Sequence, residues 1–365
     1  MSAAPLTDML PGIPLVESPL FEGLLAGGAL PAELEPIARQ LNERGYAVID
    51  FPDPKIFERI ERIKANLGPR FGIDVRDPEA LKTQGDNRIQ DAWQFDDDVA
   101  AIASNSEVVA MLGALWGRRA FPFQTLNFPV GTQQAAHSDS VHFSSLPERF
   151  MCGVWLAMED IDPDAGPLLY YPGSHRWPLL SNLAIGHKNR NNDRKSAQAP
   201  FEEIWQAIVA AQQLQPETFL ARKGQALIWS ANLLHGGSPQ ADPRLTRWSQ
   251  VTHYYFEDCI YYTPAFSDEA VGRLDVRSIT DVSTGKLIPN LYMGEEVSRP
   301  EAVRLGFMQR LFGKRPSSLE RTADLPEDFD ETTYLKLNPD VARGSTSGAE
   351  HYLRHGCNEG RRYRL

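Results

Sequence analysis

The chain has 365 residues with 42% hydrophobic and 10% aromatic content, enough to bury a full core, which excludes disordered and collagen-like classes and suggests one large domain with an appendage. A formal net charge of −11 and a pI near 5.3 argue against bulk attraction to nucleic acid or to an anionic membrane surface. The three cysteines, Cys152, Cys259 and Cys357, are odd in number and far apart with no Cys-x-x-Cys pairing, which fits a reducing compartment.

The first basic residue is Arg39, so the start lacks the charged region of a secretory signal, and no apolar run approaches the length of a membrane-spanning helix. A cytoplasmic protein without an integral membrane segment is expected. Residues 1–30, rich in Pro, Gly and Leu without a steady period, read as an irregular arm. Over 32–43, Leu34, Ile37, Ala38 and Leu41 recur at helical spacing, and Arg44-Gly45 stops the helix before a strand over 46–51. Ile56, Ile60, Ile63 and Leu67 mark a second amphipathic helix over 55–67. Val108, Val109, Leu112 and Leu115 mark a third over 106–116, ended by Gly117.

From about residue 120 the texture changes to short apolar or alternating runs broken by Gly and Pro: 121–128, 150–158, 167–171, 226–229 and 247–256. Such runs predict an all-β barrel or sandwich, and no Gly-x-Gly-x-x-Gly or phosphate-loop pattern points to a nucleotide-binding fold. Between the first two runs lies His137-Ser-Asp139. On a strand, residues two apart share a face, so both side chains can ligate one metal ion, though the tripeptide alone is a weak signal and needs a third ligand. His235, after the run 225–230 and before Gly236-Gly237, can lean over a barrel mouth, because glycine lets the backbone turn and leaves space. Spacing alone does not single it out among eight histidines. On the following strand, alternation puts Arg247, Ser249, Val251 and His253 on one face, where Arg247 and Ser249 can clamp a carboxylate. The alternative for Arg247 is a surface pairing with Asp242 or Glu257.

Together these residues resemble the Fe(II)- and 2-oxoglutarate-dependent dioxygenases of the phytanoyl-CoA hydroxylase type. The resemblance rests on His137-x-Asp139, on Gly153-Val-Trp-Leu-Ala-Met-Glu-Asp160, on Gly166-Pro-Leu-Leu-Tyr-Tyr-Pro-Gly-Ser-His175, and on His235 followed by Arg247-x-Ser249. It covers roughly residues 33–260. It implies a mainly β fold, a double-stranded β-helix or jelly-roll, with flanking helices. It also implies His137, Asp139 and His235 as iron ligands and Arg247 with Ser249 as the clamp on the distal carboxylate of 2-oxoglutarate. Trp155 matches an aromatic position near the cofactor, and Gln124 and Asn127 are candidates for polar contacts to the co-substrate. Arg244 competes with Arg247 for the clamp, and the Ser two beyond Arg247 favours Arg247. His175 is a recurrent family feature that also suits a structural turn, while His142 and His253 read as pocket or core residues. Because halogenating relatives replace the carboxylate with a small residue, Asp139 implies hydroxylation or a related oxidation with O2 as co-substrate.

The dioxygenase domain is expected over 31–298, with an insertion near 178–222 that holds a polar loop and a helix over 201–214. Lys188, Arg190, Arg194 and Lys195 make that loop basic, either as a lid over an anionic, small or carrier-linked substrate or as solvated surface. A linker over 299–328 leads to a small helical module over 329–365, which resembles short modules of bacterial glycosyltransferases and is expected to dock a partner or self-associate. His351 and His355 are four apart there but lack a third metal ligand. The expected function is hydroxylation, desaturation or ring closure at an unactivated C–H of a metabolite, or of a glycan precursor, with succinate and CO2 as co-products. A jelly-roll binding protein without turnover is the alternative.

Overall fold

The structure, a computed structural model, describes residues 9–72, 88–188, 198–297, 325–326, 328–342, 347–352 and 363. Helix α1 (Phe21–Ala26) is followed by α2 (Glu35–Arg44), which buries Ala38 and Leu41 and is ended by Gly45 in a left-handed conformation, φ 83°. Helix α3 (Ile56–Phe71) buries Ile56, Ile60, Ile63 and Leu67 at the spacing expected and continues through Pro69. Helices α4 (Asp97–Ala103) and α5 (Ser106–Trp116) are each started by a side-chain cap. Asp96 accepts from the amides of Asp98 and Val99, and Asn105 from those of Glu107 and Val108. By length and composition the run Asp97–Trp116 can cross a membrane, contrary to the expectation that no such run exists. Its break at Ser104-Asn105 and the burial of Val99, Ile102, Val108, Leu112 and Leu115 make it a pair of core helices.

The strands in chain order are β1 (Tyr46–Asp50), β2 (Ile89–Gln90), β3 (Ala120–Phe128), β4 (Ser144–Leu146), β5 (Met151–Ala157), β6 (Leu168–Tyr170), β7 (Glu217–Phe219), β8 (Gln225–Ser230), β9 (His235–Gly237), β10 (Ser249–Phe256) and β11 (Ile260–Tyr262). Helix α6 (Ala199–Gln212) lies between β6 and β7. Six strands form an antiparallel sheet in the order β1-β8-β5-β10-β3-β2, β7-β6-β9 form a smaller one, and β4 pairs with β11. Alternation splits the large sheet into two faces. Ala226, Ile228, Val154 and Leu156 pack with residues of α2, α3 and α5, whereas Leu227, Trp229, Trp155 and Val251 pack with Leu168, Tyr170 and Phe219 of the smaller sheet. This is the mainly β, double-stranded β-helix arrangement with flanking helices. The two sheets stay separate, and no closed barrel forms among the described residues.

The N-terminal segment departs from expectation. Where described it is not an irregular arm, because Leu15–Glu17 forms a 3-10 turn, α1 follows, and Val16, Phe21, Leu25 and Leu30 join the main core. These short apolar groups are too brief to show a period. The insertion expected over 178–222 also ends inside the fold, since β7 belongs to the smaller sheet. Helix α6 buries Phe201 and Trp205 with Val141 and Leu234. Arg190, Arg194 and Lys195 of the basic loop lie outside the described residues.

The chain divides into two compact units, residues 1–300 and 301–365. In the second, Glu331–Leu337, Pro339–Ala342 and Gly348–His351 are helical, and Tyr334, Val341 and Tyr352 are buried with Phe329 and Tyr363 packed against them. The Tyr334 hydroxyl and His351 Nδ1 are hydrogen-bonded at 3.0 Å, so His351 has a packing role. His355 and most of the expected linker lie outside the described residues.

Candidate functional site

His137 and His235 are held side by side by a reciprocal pair of backbone hydrogen bonds, His137 N to His235 O at 2.8 Å and His235 N to His137 O at 2.9 Å. The sequence reading placed Asp139 on a strand, but it opens a 3-10 turn, Asp139–Val141. The single extended residue Ser138 (φ −111°, ψ 133°) is enough to put residues 137 and 139 on the same side, and its hydroxyl accepts from the Ser140 amide. Gly236 and Gly237 serve close approach rather than a sharp turn. A Cβ on Gly236 would lie 2.7 Å from Gln134 O, so glycine is what lets the chain before His137 lie against β9.

One ligand atom from each of His137, Asp139 and His235 lies within 4.8 Å of the others, and all three residues are buried. His137 Nδ1 donates to Ala135 O and His235 Nδ1 to Leu233 O, both at 2.9 Å. A carbonyl can only accept, so each imidazole carries its proton on Nδ1 and offers the Nε2 lone pair to a metal. Those Nε2 atoms lie 3.9 Å from Asp139 Oδ1 and 3.8 Å from Asp139 Oδ2, too long for hydrogen bonds and suited to a shared ion. Two imidazoles and one carboxylate on one side of a site fit a ferrous ion with open positions opposite. Burial pushes the His137 imidazole down to about 3, with the neighbouring His235 adding to the effect, so it is neutral and ready to ligate. Burial alone would raise the Asp139 carboxyl. The imidazoles of His235, His253 and His137 reverse that and hold it well below the usual carboxylate range.

Arg247 is 2% exposed, with its guanidinium carbon 5.5 Å from the centre of the Trp155 ring. The only hydrogen bond of its guanidinium among the described residues runs from Nη1 to Gly166 O at 3.2 Å, and Nε is buried without a partner. The surface pairings left open by the sequence are taken by other residues: Asp242 by Arg244 at 2.7 Å, and Glu257 by Arg119. Burial lowers Arg247 to about 10, which still leaves it charged at neutral pH. A buried guanidinium with unfilled donors fits an anion such as the distal carboxylate of 2-oxoglutarate. The Ser249 hydroxyl, two residues on, is also buried and unpartnered.

A cavity of about 390 Å³ is lined by His137, Asp139, His235, Arg247, Trp155 and Gln124 among others, and Ser249 lies behind its lining. Asn127 is excluded from it. Its amide donates to Gln250 Oε1 at 3.3 Å, and Gln250 in turn donates to Val99 O, which places Asn127 on the helix-covered face of the sheet. Gln124 faces the cavity and accepts from His253 Nδ1 at 3.0 Å. The sequence reading missed what holds Asp139 in place: Trp229 Nε1 donates to Oδ2 at 2.9 Å, and His253 Nε2 lies 3.6 Å from the same oxygen. Gly153 stands in register with both Trp229 and His253 on the flanking strands. The apolar run 226–229 gave Trp229 only as a core residue. His175 lies outside the cavity lining, donating from Nε2 to Asn42 O at 3.0 Å, and is structural.

A sequence model of the family described as phytanoyl-CoA dioxygenase (PhyH) matches residues 28–245, well over half of the chain. An ectoine dioxygenase of Nocardia farcinica is 24% identical over 201 residues, which is 51% of this chain and 66% of that protein, just under two thirds of its length. Among solved structures, the epimerase SnoN in complex with Fe3+, alpha ketoglutarate and nogalamycin RO aligns at TM-score 0.48 and 18% identity, over 71% of this chain and 98% of that one. EctD from S. alaskensis with 2-oxoglutarate and 5-hydroxyectoine aligns at TM-score 0.46 and 18% identity, over 66% and 81%.

Proposed function

The chain belongs to the phytanoyl-CoA dioxygenase family, and from that premise we propose that it is an Fe(II)- and 2-oxoglutarate-dependent dioxygenase that oxidises an unactivated C–H of a small molecule. The observation that carries this reading is a buried His137-Asp139-His235 set sharing one cavity with an anion-starved Arg247. Bound there, Fe(II) supplies an oxidation in which 2-oxoglutarate and O2 become succinate and CO2 as one oxygen atom enters the substrate, so that C–H becomes C–OH.

The protein's own groups do the positioning. His137 and His235 present fixed lone pairs, Trp229 fixes the Asp139 carboxylate, and Arg247 would set the direction of the co-substrate along the cavity, with the unpartnered Ser249 hydroxyl two residues on as a further donor. Trp155, Leu168 and Val251 keep its wall apolar, which limits water around the reacting groups. At about 390 Å³ the cavity is near the lower end of the ~300–1,000 Å³ typical of ligand pockets, and the co-substrate shares it. That supports a small metabolite, or the end of a longer carrier-linked one, as the enclosed group.

Anaerobic addition of Fe(II) and 2-oxoglutarate tests the reading. A visible metal-to-ligand charge-transfer absorption is expected, and it is lost in His137→Ala. Folded protein that binds neither metal nor 2-oxoglutarate would instead be a jelly-roll binding protein without turnover.

A further inference from the structure

Arg277 also enters the cavity, from the segment that follows β11. Its amide donates to Tyr261 O at 2.8 Å and its carbonyl accepts from Asn290 Nδ2 at 3.0 Å, so the main chain there is fixed. The guanidinium lies over Phe143, 4.9 Å from the ring centre, and Nη1 makes two long bonds, to His142 O at 3.4 Å and Thr263 Oγ1 at 3.3 Å. Both acceptors are neutral. Nε is buried and has no partner among the described residues. An arginine has five donors in a rigid fork, so the Nε–Nη2 edge is left to meet something inside the cavity.

Its position relative to the metal ligands is defined by Phe143. The Phe143 amide donates to Asp139 O at 2.8 Å, and its ring packs on His253 with centroids 5.0 Å apart. The guanidinium of Arg247 lies over Trp155, which is in register with Val251, whereas that of Arg277 lies over Phe143, so the two groups reach the cavity from different elements and against different neighbours.

Charge separates their roles. Among the lining residues Arg88, Arg247 and Arg277 are cationic, and Asp139 alone is acidic. A ferrous ion, Asp139, Arg247 and a 2-oxoglutarate dianion cancel. Arg277 in the wall and the exposed Arg88 then remain uncompensated, within a chain of net charge −11. Arg277, with Nε buried and unpartnered, is costly in the wall unless the substrate brings negative charge, while the exposed Arg88 is solvated and adds to the positive field.

We propose that Arg277 anchors an oxyanion of the substrate, a carboxylate or a phosphate whose two oxygens meet the Nε–Nη2 edge, with Arg88 as a second cation nearby. This rests on the dioxygenase reading and narrows it to anionic substrates. Anchoring the anion on a cation other than the one that holds the co-substrate decides which C–H of the substrate faces the metal.

The test uses the full chain loaded anaerobically with Fe(II) and 2-oxoglutarate, and three probes on one carbon skeleton: cyclohexanecarboxylate, cyclohexyl phosphate and the uncharged cyclohexanecarboxamide. Calorimetric titration is expected to show at least tenfold tighter binding of one or both anions than of the amide, and the stronger anion identifies which oxyanion the site takes. That preference is expected to vanish in Arg277→Gln and to shrink in Arg277→Lys, which keeps the charge without the fork. Equal binding of all three probes, no binding of either anion, or a preference unchanged in both variants overturns the proposal. The charge-transfer absorption, recorded first on each sample, shows that a variant is folded and holds its cofactors. Its absence from the unsubstituted chain would refute the dioxygenase reading instead.

Discussion

Gly153→Ala is the sharpest test of how the Asp139 carboxylate is held. A Cβ at this position would lie 2.3 Å from Cε2 and Cζ2 of Trp229 and 2.9 Å from its Nε1. Ordinary carbon–carbon contact is about 3.5–4.0 Å, so the indole must retreat by more than about 1 Å. Trp229 is 2% exposed with its ring 4.8 Å from that of His235, so it cannot retreat without disturbing its neighbours. Its bond to Asp139 Oδ2, now 2.9 Å, is expected to pass beyond hydrogen-bonding distance. Overpacking of this kind costs about 1–3 kcal/mol, and loss of a group that orients a metal ligand lowers metal affinity about 10–100-fold. Anaerobic Fe(II) titration in the presence of 2-oxoglutarate reads the affinity, and urea unfolding reads the stability. Trp229→Phe, which keeps most of the ring and removes the N–H, is expected to lose affinity in the same range with a smaller loss of stability. Fe(II) affinity within twofold of the unsubstituted chain in both variants would sink the claim that Trp229 sets the carboxylate.

Arg247→Lys keeps a charge but loses the fork, and at about 1.5–3 kcal/mol per charge-assisted hydrogen bond the apparent affinity for 2-oxoglutarate should fall at least tenfold. Titrating the charge-transfer absorption with 2-oxoglutarate checks this, with Ser249→Ala expected to show a smaller loss. Asn127→Ala should leave that titration unchanged because the side chain bonds Gln250 on the far face, and a weakened titration would return Asn127 to the co-substrate site. Burial and the nearby Arg176 and Arg149 hold His175 down at about 4, against an ordinary value of 6.5. Above about pH 6.5 both folded and unfolded forms are neutral there. As pH falls toward 4 only the unfolded chain takes the proton, so stability should drop by about 1.4 kcal/mol per pH unit, an order of 3 kcal/mol in all. Urea unfolding of the chain and of His175→Gln across that range should differ in slope by about one proton, and equal slopes would refute the assignment. A chain ending near residue 320 should bind Fe(II) and 2-oxoglutarate as the full chain does, and loss of iron binding would contradict a purely docking C-terminal module.

The sequence was legible where one face of an element is buried and the other is wet. Ile56, Ile60, Ile63 and Leu67 announce α3 because a helix with one solvated side shows its period. On the central strands both faces are buried, one under helices and one against the smaller sheet, so hydrophobic pattern cannot tell which face holds the cavity. Gln124 and Asn127, three residues apart on β3, could therefore not be told apart from sequence. They fall on opposite faces, one facing His253 and the other Gln250. For Arg247 the residues alone left a surface pairing open and the resemblance favoured the clamp; it lies two residues before β10 starts at Ser249, and it is its burial that excludes the surface pairing.

The groups that hold Asp139 were hidden for a further reason, because each is meaningful only as a cross-strand pair. Gly153 is one of many glycines until it is set opposite Trp229, and Trp229 is one of many buried aromatics until its N–H is set against Asp139. Such pairs join β5, β8 and the turn after His137, residues separated by up to 90 positions, and pairing register is fixed only when the sheet has formed. The same holds for Arg277, whose place in the cavity depends on Phe143, a residue from the turn that begins at Asp139. The metal ligands are set by two short local segments, whereas the residues that orient the carboxylate and balance the charge come from the whole sheet. Substitutions at Gly153 and Trp229 should therefore lower metal affinity by freeing the Asp139 carboxylate, whereas substitution of Arg277 should change substrate choice with metal affinity retained.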